Sequence, residues 1–110
     1  MSSKEKDMPE KAFTDITAEE LAARLASGQD TYILDVREPM EVARYALDSA
    51  VNIPMSQLGN RVNEIPRDRE VVVVCASGGR SEVVAQVLGE NGWQTLNLRG
   101  GLESWVASQQ

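Results

Sequence analysis

The stretch Val71-Val-Val-Val-Cys75-Ala-Ser-Gly78-Gly79-Arg80-Ser81 contains the features that decide the fold of this 110-residue chain. Four successive valines favour extended backbone, and their unbroken apolar character predicts a strand buried on both faces, as in a parallel sheet covered by helices. The two glycines predict a turn after Cys75, and Ser81 is a candidate N-cap for a helix that runs to about Glu90. This strand–turn–helix unit indicates an α/β fold.

The rest of the chain alternates between strand and helix in the same way. The capping box Thr17-Ala-Glu-Glu20 opens a helix that ends near Gly28. We expect further strands at residues 32–36, 50–53 and 95–98. We expect further helices at residues 39–46, 56–62 and 101–107, and the helix after Ser81 to bury Val84, Val87 and Leu88. This order predicts a three-layer α/β sandwich, with a mainly parallel sheet of about five strands, right-handed crossovers and helices on both faces.

The domain organisation follows from length and composition. Residues 1–12 are rich in charge and include Pro9, so we expect a disordered N-terminal tail there. Residues 13–110 are of a size that suits a single domain. The start of the chain lacks the apolar core of a signal peptide, and no apolar run is long enough to cross a bilayer. We therefore expect a cytoplasmic protein with no membrane partner, and a monomer.

Several chemistries are excluded by composition. The chain has no histidine and a single cysteine, which leaves no Ser-His-Asp triad, no internal disulfide and no His or Cys metal site. The net charge of −6 and the absence of a Lys/Arg run argue against a nucleic-acid partner. An anionic substrate would therefore need local arginines or backbone amides for its attraction. We expect neither a metal nor a cofactor.

The candidate site lies where the predicted strands end. Ligands of open parallel sheets bind beyond the carboxyl ends of the strands. One predicted strand ends in Asp35-Val-Arg37, the valine strand runs into the segment from Cys75 to Arg80, and Arg99 follows the last strand. If these strands are parallel, their terminal residues share one edge of the sheet.

The loop after Cys75 predicts an anion site. Gly78 and Gly79 can adopt positive φ, which would turn successive amides inward and form a nest, and the next helix adds its positive end. We expect such a nest to lower the pKa of Cys75 and to stabilise a thiolate, a persulfide or a bound oxyanion. The alternative is that Cys75 is a buried core residue, the usual place for a lone cysteine at the end of an apolar strand.

The segment Cys75-Ala-Ser-Gly78-Gly-Arg80-Ser81 resembles the Cys-x-x-Gly-x-Arg-Ser loop of rhodanese domains. The rest of that family's pattern recurs in order, over about residues 14–105. The matching segments are Asp35-Val-Arg37-Glu-Pro39-x-Glu41, Ala50-Val-Asn52-Ile-Pro54 and Leu98-Arg-Gly100-Gly101-Leu-x-x-Trp105. One departure is Tyr45-Ala46, which stands where the family usually has Gly-His. This change allows a longer helix from Pro39.

The resemblance implies a sulfurtransferase. Cys75 would take a sulfane sulfur from a small anionic donor such as thiosulfate, become a persulfide and pass the sulfur to cyanide, a thiol or a protein acceptor. The amides of the substrate loop would hold the anion; that loop consists of Ala76, Ser77, Gly78, Gly79, Arg80 and Ser81.

The charged side chains in and around the loop have supporting roles. Arg80 would assist electrostatically or brace the loop, whereas Asp35 and Arg37 would support the site as scaffold. Arg37 could pair with Glu38 or Glu41, and Glu41 is otherwise most simply a solvated helix residue.

Three alternatives remain open at the level of sequence. The first is a rhodanese-shaped domain that binds a partner without catalysis, and the second is a persulfide carrier for one dedicated protein. The third is a phosphatase or arsenate reductase, whose loops commonly read Cys-x5-Arg, whereas Cys75 and Arg80 enclose four residues.

Overall fold

The central sheet of the protein is parallel throughout. The computed structural model describes residues 10–110. Within this range the strands are Thr14–Ile16 (β1), Tyr32–Asp35 (β2), Val51–Asn52 (β3), Val71–Val74 (β4) and Thr95–Leu98 (β5). They lie in the order β1-β5-β4-β2-β3, and every neighbouring pair is parallel. The valine strand is therefore central, which confirms the predicted α/β class.

The helices connect these strands. They are Ala18–Ala26 (α1), Pro39–Arg44 (α2), Leu58–Arg61 (α3), Gly79–Glu90 (α4) and Gly101–Ser108 (α5). Single 3₁₀ turns, Met55–Gln57 and Val62–Glu64, flank α3. Across residues 10–110, no helix has both the length and the apolar character that a membrane crossing requires.

Successive side chains of β4 point to opposite faces of the sheet, and the core is therefore divided into two layers. Val72 and Val74 face a cluster that includes Leu21 of α1 and Trp105 of α5. Val71, Val73 and Cys75 face the opposite cluster, which includes residues of α4. All four valines are fully buried. Helices therefore cover both faces of the sheet, as predicted for a three-layer sandwich.

Strand β1 was not predicted from the sequence. Thr14–Ile16 has only three residues, and Ile16 alone is buried among them. Such a segment carries almost no strand pattern of its own. Its extended form comes from pairing with β5, in which Thr14 lies opposite Leu96 and Ile16 opposite Leu98.

Helix α2 ends earlier than predicted. Tyr45, its C-cap residue, has extended backbone with φ −167° and ψ 138°, so the helix stops at Arg44 instead of reaching Ala46. The carbonyl of Tyr45 accepts a 2.7 Å hydrogen bond from Arg37 Nη2, which holds the chain in this conformation. Replacement of the family's Gly-His by Tyr45-Ala46 therefore does not lengthen the helix. The helix expected at residues 56–62 is also broken, into α3 and the two 3₁₀ turns.

The N-cap of helix α4 lies three residues before the predicted one, Ser81. Gly78 is the N-cap and has positive φ, at +103°, while Gly79 is already helical. The prediction of positive φ was therefore right for Gly78 and wrong for Gly79. Ser81 lies in the first turn and is not the cap. Val87, expected in the core, is exposed because the helix turns Ala85 inward beside Val84 and Leu88 instead.

The predicted N-terminal tail lies mostly outside the described residues, which begin at Glu10. Its last part runs along α4. The amide of Ala12 donates to Gln86 Oε1 at 2.9 Å, and Gln86 Nε2 donates to the carbonyl of Glu10 at 2.7 Å. Residues 10–12 are thus hydrogen-bonded to the folded domain.

Candidate active site

Cys75 follows β4 directly and is almost completely buried, with 1% of its surface exposed. Its side chain belongs to the apolar cluster of the α4 layer. Burial alone would favour the structural interpretation of this cysteine, so the polar surroundings of its sulfur decide between the alternatives.

Main-chain donors of the loop point at the sulfur. The amide of Gly78 donates to Cys75 Sγ at 3.0 Å, and the amide of Ser81 donates at 3.4 Å. The Ser81 hydroxyl lies 3.3 Å from the same sulfur. Positive φ at Gly78 turns its amide inward, and this is the backbone conformation that glycine favours. The sulfur thus sits in a nest of hydrogen-bond donors.

Two opposing effects set the pKa of Cys75. Burial of the thiol acts to raise the pKa, because it penalises the charged form. Hydrogen bonds from the Ser81 side chain and from the amides of Ser81, Gly78 and Ser77 lower it, and they prevail. The pKa of Cys75 therefore lies below that of an ordinary thiol, which favours a sulfur anion at this position.

The start of α5 supports the loop from behind. The amide of Leu102 donates to the carbonyl of Cys75 at 2.8 Å, and the amide of Glu103 donates to that of Ala76 at 3.0 Å. A Cβ on Gly101 would lie 2.5 Å from the carbonyl oxygen of Ala76, so a larger residue does not fit there. Gly101 belongs to the closing motif identified in the sequence, but its contact with the loop was not predicted.

Arg80 is held by Glu41. Its two terminal nitrogens each donate to one carboxylate oxygen of Glu41 at 2.7 Å, a bidentate pair that links α4 to α2. The hydrogen bond from Arg80 lowers the pKa of Glu41 to about 2, and the same contact raises the pKa of Arg80. Glu41 was expected to be solvated, but it is the partner of the loop arginine.

Asp35 and Arg37 form a second pair beneath the site. Arg37 Nη2 and Nε donate to the Asp35 carboxylate at 2.8 and 3.0 Å, and both side chains are buried. The suggested ion pair of Arg37 with Glu38 or Glu41 does not form, although Arg37 Nη1 reaches the main-chain carbonyl of Glu41. Asn52, from the second motif, donates to the carbonyls of both Asp35 and Arg37 at 2.9 Å. The ion pair and the two hydrogen bonds from Asn52 thus stabilise the turn after β2.

Asn97 of β5 is a site residue that the sequence interpretation missed. The Ser81 hydroxyl donates to Asn97 Oδ1 at 2.6 Å, so this buried amide lies one hydrogen bond from the group that contacts the sulfur. The available signal was a polar residue inside an otherwise apolar strand. Arg99, by contrast, lines a recess with Thr17 and Ser104, and it makes no hydrogen bond to the loop.

A shallow recess lies beside the loop. Ala76 lines it together with residues of α5 and of the turn after β2, namely Arg37, Tyr45, Leu102, Glu103 and Val106. Tyr45 and Val106 are exposed apolar groups at its rim. Within residues 10–110, no cluster of three or more carboxylate or thiol side chains is arranged to hold a metal ion. The chemistry that this arrangement supports is the stabilisation of negative charge on one sulfur atom.

Comparison with known proteins agrees with this geometry. A family model described as a rhodanese-like domain matches residues 17–108. The chain is 40% identical over 93 residues to a sulfurtransferase of Allochromatium vinosum, covering 84% of this chain and 87% of the relative. It is 29% identical over 101 residues to thiosulfate sulfurtransferase GlpE of Glaesserella parasuis, covering 91% and 93%. A rhodanese-related protein of Thermoplasma volcanium has the same fold, with a TM-score of 0.81, 30% identity and coverage of 87% and 93%. The chain therefore belongs to the rhodanese-like domain family.

Proposed function

We propose that this protein is a rhodanese-type sulfurtransferase that moves a sulfane sulfur through a persulfide on Cys75. The observation that carries this proposal is the set of donors around the sulfur, the amides of Gly78 and Ser81 at 3.0 and 3.4 Å. A neutral thiol in an apolar core is only a weak hydrogen-bond acceptor, whereas a sulfur anion is stabilised by such donors. The Allochromatium vinosum relative, which is named a sulfurtransferase, supports the same assignment.

The reaction has two half-reactions. The Cys75 thiolate attacks the outer sulfur of a donor such as thiosulfate, the sulfur–sulfur bond of the donor breaks, and sulfite leaves with the bonding electrons. The product is a Cys75 persulfide anion. A thiophilic acceptor, such as cyanide or a thiol, then attacks the terminal sulfur and displaces the Cys75 thiolate. Atoms and electrons balance without an added oxidant or reductant.

The loop performs its work through main-chain groups. Arg80 is occupied by Glu41, and Arg37 by Asp35, so neither arginine offers a free charge to the donor. Stabilisation of the anion therefore falls on the amides of the loop from Ala76 to Ser81. We assign Cys75 as the nucleophile, this loop as the anion-binding element, Asp35 and Arg37 as groups that hold it in place, and Glu41 as the group that neutralises Arg80.

The natural donor and acceptor are open to experiment. Thiosulfate is the donor that we propose to test first, because a relative is named thiosulfate sulfurtransferase. A small thiol, cyanide or a protein thiol is the proposed acceptor. A single cysteine without a disulfide partner fits a reducing compartment such as the cytoplasm.

Intact-mass spectrometry after thiosulfate treatment tests the proposal. We expect a mass increase of one sulfur atom that maps to Cys75, that disappears on addition of cyanide and that is absent in Cys75→Ser. Turnover with thiosulfate and cyanide should require Cys75. Equal turnover of Cys75→Ser and the natural protein would end the enzyme assignment. Formation of the persulfide without discharge to small acceptors would point instead to a carrier for a dedicated protein. Hydrolysis of an aryl phosphate would revive the phosphatase alternative.

A further inference from the structure

The Ser81 hydroxyl has one hydrogen and three possible acceptors. Asn97 Oδ1 lies 2.6 Å away, the carbonyl of Gly78 lies 3.2 Å away, and Cys75 Sγ lies 3.3 Å away. A serine hydroxyl donates one hydrogen bond and accepts two. Because the contact with Asn97 is the shortest by far, the hydrogen belongs to that bond in the resting state. Ser81 then presents a lone pair, and not a hydrogen, to the sulfur.

The orientation of the Asn97 amide is fixed from the other side of the strand. Asn97 Nδ2 donates to Asp15 Oδ1 at 3.3 Å. Lys11 donates to Asp15 Oδ2 at 3.0 Å and is the main cause that lowers the pKa of Asp15, so this carboxylate is ionised and can only accept. A flipped amide would set its oxygen against the carboxylate. Asn97 must therefore turn its oxygen toward Ser81.

We propose that Asn97 is a positioning residue for sulfur transfer, which competes with the Cys75 sulfur for the single hydrogen of the Ser81 hydroxyl. This inference rests on the proposed role of Cys75. In the thiol form, Ser81 Oγ accepts from the Cys75 S–H group. When the sulfur becomes an anion, the hydroxyl must leave Asn97 and turn toward it. Asn97 thereby favours the neutral thiol over the thiolate.

The burial of these groups gives the competition its strength. Ser81 has no exposed surface, and Asn97 has 2%. Water therefore cannot supply a second hydrogen bond to either partner when the hydroxyl turns, and each change of partner has its full effect. The exchange also gives the loop a donor that becomes available when negative charge appears on the sulfur.

The other charged groups around Cys75 do not depend on this hydrogen. Arg80 of α4 is paired with Glu41 of α2, while Asp35 and Arg37 pair with each other after β2. Glu103 of α5 lines the recess beside Ala76. From the β1 side, the charge of Asp15 is matched by Lys11. Substitution of Asn97 leaves all of these charges in place.

The titration of Cys75 tests the proposal without any sulfur donor. Thiolate absorbance in the far ultraviolet reports Cys75 once the spectrum of Cys75→Ser, which carries the same two tyrosines, is subtracted, since the chain has one cysteine. Asn97→Leu removes the competing acceptor, so we expect the pKa of Cys75 to fall by about one unit. In a Ser81→Ala background the same substitution should leave the pKa unchanged, because Asn97 acts through the hydroxyl. An unchanged or raised pKa in Asn97→Leu, or an equal fall in both backgrounds, would overturn the proposal.

A second variant keeps the test decisive if Asn97→Leu does not fold. Asp15→Asn lies at a partly exposed position and releases the Asn97 amide from its fixed orientation. It also removes a negative charge, which lowers the pKa of Cys75 by itself. We expect its effect to be at least twice as large with Ser81 present as in Ser81→Ala, and equal effects would contradict the proposal. Persulfide formation is measured separately by mass, so its absence would count against the proposed function and not against the hydrogen-bond competition.

Discussion

Gly101 lies directly against the carbonyl of Cys75. A Cβ on Gly101 would be 2.6 Å from Cys75 O and 2.5 Å from Ala76 O, and the next two amides of α5 donate to these same carbonyls. Its φ is +64°, a conformation that other residues rarely adopt. The last helix thus fixes the main chain that carries Cys75, and only a residue without a side chain permits that approach.

The first prediction concerns this contact. Gly101→Ala should destabilise the protein by about 2–3 kcal/mol, from the positive φ and from the overlap with two carbonyls, and should slow persulfide formation in the folded fraction. Urea unfolding and sulfite release measure the two effects. Gly59→Ala is the matched control, because a Cβ there meets nothing within 4 Å and its φ is not positive. Equal stability of the two variants would contradict this account of Gly101.

The second prediction concerns pH. Because the pKa of Cys75 is lowered, persulfide formation should rise about tenfold per pH unit at low pH and level off below the pKa of an ordinary thiol. The lowered pKa also makes the free energy of unfolding depend on pH. The folded state releases this proton more readily than the unfolded state, so the contribution of the group is complete above the unfolded pKa. It is lost as the pH falls through the folded pKa.

Rates of sulfite release across pH, with denaturant unfolding at the same values, check the second prediction. Cys75→Ser should remove this component from the pH dependence of stability. A midpoint above that of a free thiol would show that burial prevails over the hydrogen bonds of the loop.

The third prediction concerns the loop arginine. Glu41→Gln removes the charge that neutralises Arg80, so Arg80 becomes a free cation beside Cys75. We expect the KM for thiosulfate to fall about two- to fivefold, with the larger change at low salt. Glu38→Gln is the control, since Glu38 contacts Ser56 and not Arg80. A KM that is unchanged or raised at every salt concentration would mean that Glu41 orients Arg80 instead of masking its charge.

The fourth prediction concerns the buried pair under the site. Asp35→Ala leaves Arg37 buried without its carboxylate, so we expect a loss of about 3–5 kcal/mol in the free energy of unfolding. Replacement of both residues, Asp35→Ala with Arg37→Met, should cost clearly less than the sum of the single changes. A double-mutant cycle by urea unfolding measures the coupling. Additive losses would show that the two charges do not stabilise each other.

Much of the fold could be predicted because its signals are local. The valine run, the capping box at Thr17 and the glycine at position 78 each specify their own backbone, and the alternation of elements then favours a parallel sheet. The predicted ends of helices and strands were wrong where a residue distant in sequence determines the backbone conformation. Tyr45 is held extended by Arg37, and β1 is extended because β5 lies beside it.

In the candidate site, too, the local features were predicted from the sequence and the long-range contacts were not. Cys75 and its loop are contiguous in sequence, and their chemistry could be inferred from residue types and spacing. The partners of the loop could not be inferred, since Glu41 is 39 residues from Arg80 and Asn97 is 16 from Ser81. Sequence spacing carries no information about which of several carboxylates or amides a folded chain brings within hydrogen-bond distance.

The sequence by itself therefore determined the class of fold and pointed to Cys75 and its loop as the candidate site, because short-range sterics and hydrophobic pattern act along the chain. The tertiary structure alone decided that Arg37 and Arg80 are paired, that Gly101 lies against the main chain of Cys75 and that Asn97 accepts from the Ser81 hydroxyl. These are contacts between elements, and their existence depends on how the sheet and helices pack in space.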